Sequence, residues 1–337
     1  MTNPSSSPTP ERIMQFAWGF APTLILEVAI NSEIFDFIDK APRTVAETAA
    51  HAKGSERGWR VILNALVGLQ FLSKDGDRYA TTPESSTFLV TTKPTFIGGL
   101  LRHTSKQLIP QWLNLGEAVR TGKPPLPVNE INSGENFFET LVSDIFNMSY
   151  PSSRLLGEHL ELAKAKEEVK VRDLAAGSGV WGIGLAQQSP KVKVTAVDWP
   201  GVIPITKAHV GRFKLESQFD YVAGDLLEVE FPKKQDIVTL GHIFHSEGEE
   251  RSRALIKKVH QALKPGGTIA IAEFTPNAER TGPPHTLIFA VNMLVHTEKG
   301  DTYPFREVEG WLKESGFTNA RELPCTGPAP LILATRA

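Results

Sequence analysis

The stretch VKVRDLAAGSGVWGIGLAQQSPKVKVTAVDW, Val169 to Trp199, decides the fold. It opens with an apolar strand, Val171 to Ala175. A glycine-rich turn follows, Ala176-Gly177-Ser178-Gly179, and then an amphipathic helix from Val180 to Gln188 that Pro190 closes. A second strand, Val192 to Val197, ends on Asp198, 19 residues after Gly179. This is a β-loop-α-β unit with an acid at the tip of its second strand. Nucleotide recognition asks for that arrangement. Glycines let the backbone approach a ligand, and a helix N-terminus offers free N–H donors. A carboxylate at the end of the second strand can accept both ribose hydroxyl protons.

Taken alone, the unit admits more than one ligand. Gly177-x-Gly179-x-x-Gly182 is a literal dinucleotide fingerprint and predicts a nicotinamide cofactor. Asp173 points elsewhere. Its carboxylate stands before the glycines, where it would face an incoming pyrophosphate of like charge. It suits a positively charged ligand, such as the amino group and sulfonium of S-adenosylmethionine (SAM). An ordinary tight turn is the bland alternative, and the agreement in spacing between glycines and acid weighs against it.

A chain of 337 residues is long for one domain, and two are expected. Hydrophobic residues make up 41% and charged ones 22%, so the chain can bury sizeable cores. A net charge of -2 gives no nucleic-acid footprint. Cys325 is the only cysteine, which excludes an intrachain disulfide and predicts a reducing, cytoplasmic setting. No apolar run reaches the roughly 18 residues that span a bilayer. Residues 1–10 are polar and rich in Pro and Ser, and are expected to be a disordered tail rather than a signal peptide.

Residues 11–95 are expected to form a mainly helical unit. Ile13, Phe16, Ala17 and Phe20 repeat at helical spacing, as do Leu24, Leu26, Val28, Ile30, Ile34, Phe35 and Ile38. So much apolar surface near a terminus fits either packing within the domain or cover by a second subunit. Thr44 and Glu47 make a capping box for a helix over Val45–Ala52, and Ser55 caps another through Leu69. Lys74-Asp75-Gly76-Asp77-Arg78 reads as a hairpin turn. Helix, helix and wing is a DNA-reading layout, but the second helix carries no basic stripe, so a scaffold is expected. Residues 96–165 read as a helical linker and pocket segment, broken at Gly122–Pro125 and at Pro151. From 166 to 337 the α/β rhythm continues. Its strand ends carry Asp198, Asp225, His245 and Glu273, at the edge where open parallel sheets bind ligands.

The second half resembles the SAM-dependent methyltransferases with a Rossmann-like α/β fold. The whole chain is similar to the small-molecule O-methyltransferases of plants and bacteria, which join an N-terminal winged-helix dimerisation domain to that catalytic domain. Asp173-Leu174-Ala175-Ala176-Gly177-Ser178-Gly179 is similar to D-V-G-G-G-T-G, and Asp198-Trp199-Pro200-Gly201-Val202 to D-L-P-x-V. Gly224-Asp225-Leu226-Leu227 is similar to G-D-M-F. Lys264-Pro265-Gly266-Gly267 with Ala272-Glu273 matches the helix–PGG–strand–E segment, and Tyr79–Pro83 the wing.

The resemblance implies SAM as cofactor, a homodimer through the N-terminal domain and a small-molecule acceptor; no metal is expected, since the histidines form no H-x-x-x-H or Cys/His cluster. It places Asp173, Ala175, Gly177 and Gly179 in the cofactor loop, Asp198 on the ribose and Gly224, Asp225 and Leu226 beside the adenine, where Trp199 could stack. His245 falls where the family's general base stands, and Glu273 on the acid that orients it. Met148 matches a methionine near the methyl group. Asn292, Met293 and His296, on a helix over Leu287–Val295, lie over the substrate. His242, on the same strand end as His245, is by its position an equal candidate for the pocket histidine.

The chain also departs from that pattern. The family's L-H-D-W is Phe244-His245-Ser246-Glu247 here. Ala175 and Ala176 replace glycines, and Thr302 stands where a second acid is expected, with Asp301 beside it. The expected reaction is displacement at the SAM methyl by a phenol or enol hydroxyl, which requires alignment and removal of one proton. An imidazole can take a proton near neutral pH. Two further readings stay open: an NAD-dependent oxidoreductase, and a SAM-binding regulator that does not methylate.

Overall fold

A computed structural model describes residues 8–128, 137–138, 141–325 and 329–337. Most of the expected N-terminal tail, residues 1–7, lies outside the described residues. The chain divides into two compact units, residues 1–107 and 108–337. The segment expected over 96–165 is thus split at 107.

In the first unit, α1 (Glu11–Ala17), α2 (Ala21–Asn31) and α3 (Ile34–Asp39) lead to α4 (Val45–His51) and α5 (Glu56–Gly68). The capping box on α4 forms as the sequence predicts, with Glu47 N–H donating to Thr44 Oγ1 and Thr44 N–H to Glu47. The antiparallel pair β1 (Leu72–Asp75) and β2 (Arg78–Thr81) makes the wing. The core gathers Ile30, Ile34, Phe35, Leu63, Leu66 and Tyr79, all buried. Ile13, Phe16, Trp18 and Phe20 are left outside it, between 56% and 73% exposed.

The second unit starts with the helices α6 (Ile109–Trp112), α7 (Leu115–Thr121) and α8 (Phe146–His159). Pro151 was expected to break the last of these and instead lies inside it. An interior proline costs about 3 kcal/mol. Phe146 and Leu156 offset that cost by burial in one cluster with Trp181, Ile183 and Leu185.

The sheet order is β5-β4-β3-β6-β7-β9-β8. Its parallel strands are β3 (Val169–Leu174), β4 (Val192–Asp198), β5 (Phe219–Ala223), β6 (Gln235–Gly241) and β7 (Leu263–Ala272). The last two strands, β8 (Phe317–Leu323) and β9 (Leu331–Arg336), are antiparallel, with β9 inserted next to β7. Strands buried on both faces read as near-continuous apolar runs, as in Ile237, Val238 and Leu240. Around the sheet lie α9 (Val180–Ala186), α10 (Ile203–Arg212), α11 (Phe244–Ala262), α12 (Pro284–His296) and α13 (Phe305–Glu314). The chain runs β3 to β4 to β5 on one side and then crosses back to β6. The carboxyl ends of β3, β4 and β6 therefore flank the reversal, where open α/β sheets form a binding crevice.

Candidate active site

The glycine loop leaves β3 in a tight left-handed path. Ala175, Gly177 and Gly179 have φ of 51°, 56° and 75°. Left-handed backbone disfavours a side chain, and a Cβ on Gly179 would come 3.0 Å from Thr206 Cγ2. The loop is held to the next strand by Asp198, whose Oδ2 accepts the Gly177 N–H at 2.7 Å. Its Oδ1 accepts the Trp199 N–H, also at 2.7 Å. The carboxylate thus sits beside the loop at the tip of β4, as the sequence predicts. Trp199 meets the Phe138 ring edge-on at 6.0 Å.

Asp173 takes a different place from the one expected. It does not present an open carboxylate to a ligand. It is fully buried, with Oδ2 accepting the Gly182 N–H at 2.9 Å and Oδ1 the Thr239 hydroxyl at 2.7 Å. Burial pushes its carboxyl up to about 7. It ties the first turn of α9 to β3 and β6, so it shapes the loop from behind. Gly182, the third glycine of the apparent dinucleotide fingerprint, is the other end of that tie, and a Cβ there would lie 2.8 Å from Val194 Cγ1.

The β5 loop carries Gly224, Asp225 and Leu226. Gly224 N–H donates to the Asp198 carbonyl at 2.9 Å, which sets this loop against the tip of β4. Asp225 accepts the Leu227 N–H at 2.8 Å and an Arg251 N–H at 2.7 Å. Leu226 is buried.

At the ends of β6 and β7 a histidine and an acid meet. Glu273 is fully buried, and its Oε1 lies 2.6 Å from His245 Nδ1. The other oxygen accepts the His245 backbone N–H at 3.1 Å, and Oε1 also accepts the Phe274 N–H at 3.0 Å. Burial alone would push the Glu273 carboxyl up. The charge and hydrogen bond of His245, with help from His242 and the Phe274 N–H, hold it below the usual range. An ionised carboxylate only accepts, so Nδ1 donates to Glu273, and in the neutral form of the ring the lone pair is on Nε2. The His245 ring is 12% exposed. It meets Phe289 edge-on at 4.9 Å and lies 6.0 Å from Phe274.

His242 has a left-handed φ of 59°, and its ring lies 5.2 Å from Phe274 and 6.3 Å from Trp181. Its Nε2 is 3.4 Å from Ser149 Oγ. Burial pushes it down to about 4, so it is neutral near pH 7. His242, His245 and Glu273 each offer a donor atom, all within 4.8 Å of one another. Such a set could hold a metal ion; Glu273 Oε1 already accepts from the His245 ring and the Phe274 N–H, and Oε2 from the His245 N–H.

The structure brings Met148 to the first turn of α8, next to the Ser149 that meets His242. On α12, Phe289, Met293 and His296 are spaced i, i+4 and i+7 and share the face that Phe289 packs on His245. Met293 and His296 are buried, and Asn292 Oδ1 accepts the Trp112 indole N–H at 2.8 Å. Sequence reasoning missed Phe274, Phe289, Ser149 and Trp181. Phe289 had a usable signal, one turn before Met293. Thr302 is buried with no partner for its hydroxyl among the described residues. Asp301 turns its carboxylate to the Thr302 N–H and toward Arg280, so Glu273 is the acid that the described residues bring to His245.

The adenosyl methyl donor fits these residues: a bare left-handed loop whose Gly179 would crowd any Cβ, and an acid at the strand tip beside it.

Comparison with known proteins agrees. The model of the O-methyltransferase domain matches residues 112–318, and that of the O-methyltransferase dimerisation domain matches residues 14–91. The chain is 28% identical to the tetracenomycin polyketide synthesis 8-O-methyl transferase TcmO of Streptomyces glaucescens, over 97% of each chain. It is 28% identical to human acetylserotonin O-methyltransferase, covering 86% of this chain and 87% of that one. The human N-acetylserotonin methyltransferase solved with SAM superposes with a TM-score of 0.87 at 24% identity over all of both chains. PigF solved with SAH gives 0.82 at 21%, over 98% of this chain and 100% of that one. No single described helix is long and apolar enough to cross a membrane.

Proposed function

The chain belongs to the SAM-dependent O-methyltransferases, and from that premise we propose that it methylates a hydroxyl on a flat aromatic, polyketide-like molecule with His245 as general base. SAM, when bound, supplies a methyl carbon already activated by its positive sulfur, so the protein must align an oxygen and take one proton. His245 Nε2 would take it. Glu273 fixes the tautomer and stabilises the imidazolium that forms, the role an acid plays behind a catalytic histidine. Asp198 would accept the ribose hydroxyls, the loop Ala175–Gly179 would admit the methionyl portion, and Asp225 and Leu226 would border the adenine. Trp199 would flank the purine. Met148, His242, Asn292, Met293 and His296 would line the acceptor pocket.

The observation that carries this reading is the His245–Glu273 pair at 2.6 Å, set among Phe274 and Phe289. Aromatic walls favour an aromatic acceptor through stacking and burial. TcmO and the naphthoate 3-O-methyltransferase of Streptomyces sahachiroi, by their names, act on acceptors of this kind. The exposed Ile13, Phe16, Trp18 and Phe20 support a homodimer through the N-terminal unit. The test is an acceptor panel scored for methylated product, run with wild type and His245→Gln. Wild type should methylate phenolic polyketides, and His245→Gln should bind S-adenosylhomocysteine normally with turnover largely lost. Methylation confined to aliphatic acceptors, or full turnover in His245→Gln, would overturn it.

A further inference from the structure

Helix α11 carries His245 in its first turn and then kinks. Gly248 takes φ +79° and ψ 168° inside it, and a Cβ there would come 2.7 Å from the Lys299 carbonyl. The kink separates the turn that holds His245 and Glu247 from the remainder of the helix. One side chain spans the break. Arg251 Nε pairs with Glu247 Oε2 on the near side. The same guanidinium gives Nη2 to Asp225 Oδ2 at 2.7 Å, in the β5 loop. Further along the helix, Lys258 donates to the carbonyls of Leu226, Leu227 and Val229 at 3.0, 2.8 and 2.5 Å. The buried Arg172 on β3 adds a bond to the Glu230 carbonyl at 3.2 Å. The β5 loop is thereby held by cations from two elements.

We propose that Arg251 is a positioning residue that ties the turn bearing the proton acceptor His245 to the loop bearing Asp225, so that cofactor binding and alignment of the base are one event. A guanidinium suits this because its planar fork can serve two carboxylates at once, which an ammonium on a flexible stem does less well. Glu247 is the near-side partner, and its side chain is only 11% exposed, against 41% for Arg251. The pair is therefore less screened than an ordinary surface ion pair. Arg253, two residues on, makes ion pairs with Glu249 and Glu314 that face away from both segments and serves as the control.

The proposal rests on the reading of the β5 loop as part of the cofactor site. The experiment measures S-adenosylhomocysteine affinity by calorimetry, the turnover rate at saturating SAM and acceptor, and the apo melting temperature. Loss of a charge-assisted hydrogen bond corresponds to about a tenfold effect. Arg251→Met should weaken the ligand about tenfold and also lower the saturated rate about tenfold. Glu247→Gln, the milder change, should lower the saturated rate, and in combination with Arg251→Met should add nothing further. Arg251→Lys should recover ligand affinity more than rate. Arg253→Met should change neither. An Arg251→Met enzyme with weakened ligand and a wild-type saturated rate would overturn the tie, as would additive effects of the Arg251 and Glu247 changes. Asp225→Asn with unchanged ligand affinity would instead overturn the assignment of the loop.

Discussion

Glu273→Gln tests the proton transfer most directly. The carboxylate is fully buried and 2.6 Å from His245 Nδ1. Two opposite unit charges that close attract by about 6 kcal/mol at an effective dielectric of ~20, which is a ceiling. Hydrogen bonds to charged groups, lost one at a time, cost about 1.5–3 kcal/mol. The smaller range applies, because the amide keeps the shape and one accepting oxygen. At about 1.4 kcal/mol per factor of ten, the saturated single-turnover rate should fall about 10- to 150-fold. The amide nitrogen replaces one of the two accepting oxygens, so either the His245 backbone N–H on Oε2 or the ring and Phe274 N–H groups on Oε1 lose their acceptor, and the hold on the imidazole weakens along with the charge. The assay is rapid-quench methyl transfer with enzyme in excess, alongside calorimetric binding of S-adenosylhomocysteine as the check on folding. A rate within about twofold of wild type, at unchanged ligand affinity, would refute the orienting role.

Further outcomes follow from the same geometry. Asp173 has its carboxyl raised to about 7 by burial, against 3.8 ordinarily, so the folded state holds a proton that the unfolded chain releases. Its stabilising effect is complete below pH 3.8 and is lost as pH rises through 7, so Asp173→Asn should gain stability relative to wild type over that window. Denaturant titrations from pH 4 to 8 check it, and a pH-independent difference would count against it. Asp198→Ala removes the acceptor of the Gly177 and Trp199 N–H groups and should weaken S-adenosylhomocysteine about 100-fold by calorimetry. Phe16→Asp with Phe20→Asp places charge on the exposed face of the first unit and should convert a dimer to monomer in light scattering.

The sheet and the wing were legible because their signals are local. The glycine loop, the strand-end acids and the capping box at Thr44 each depend on a few neighbouring residues. The His245–Glu273 pair was legible only through order and spacing of motifs, since 28 positions separate the two and β6–β7 pairing brings them together. Asp173 was misread because its burial depends on Thr239, a neighbour on β6 that no local pattern announces. Pro151 was misread for a related reason, since tertiary packing of α8 on α9 overrode a strong local breaker. Phe274 follows Glu273 directly, yet nothing in its sequence context says that a strand end turns it toward two histidines. Arg251 looks like an ordinary helix-surface cation until the kink at Gly248 is seen.

The missing second acid is less damaging to the proposed mechanism than the sequence suggested. Glu273 holds His245 twice, by the ring nitrogen and by the backbone N–H, so one carboxylate fixes both the orientation of the imidazole and the start of α11. Asp301 still contributes through its backbone, donating its N–H to the His245 carbonyl at 3.0 Å. Thr302 is fully buried, and a carboxylate in its place would add a second negative charge to this enclosed site. Like charges at close range drive one another toward protonation, and a protonated Glu273 could no longer stabilise an imidazolium. A neutral Thr302 leaves Glu273, among the described residues, as the one acid against the His245 ring, with its carboxyl held below the usual range. The family's aspartate after the histidine is likewise replaced by Ser246, whose hydroxyl donates to the Ile243 carbonyl at 3.0 Å. The charge at this end of the helix is moved one residue on, to Glu247, where Arg251 neutralises it and connects it to the β5 loop. The departures around His245 therefore form one consistent set: among the described residues a single buried acid holds the proposed base, and the remaining acid of the turn faces the loop that carries Asp225.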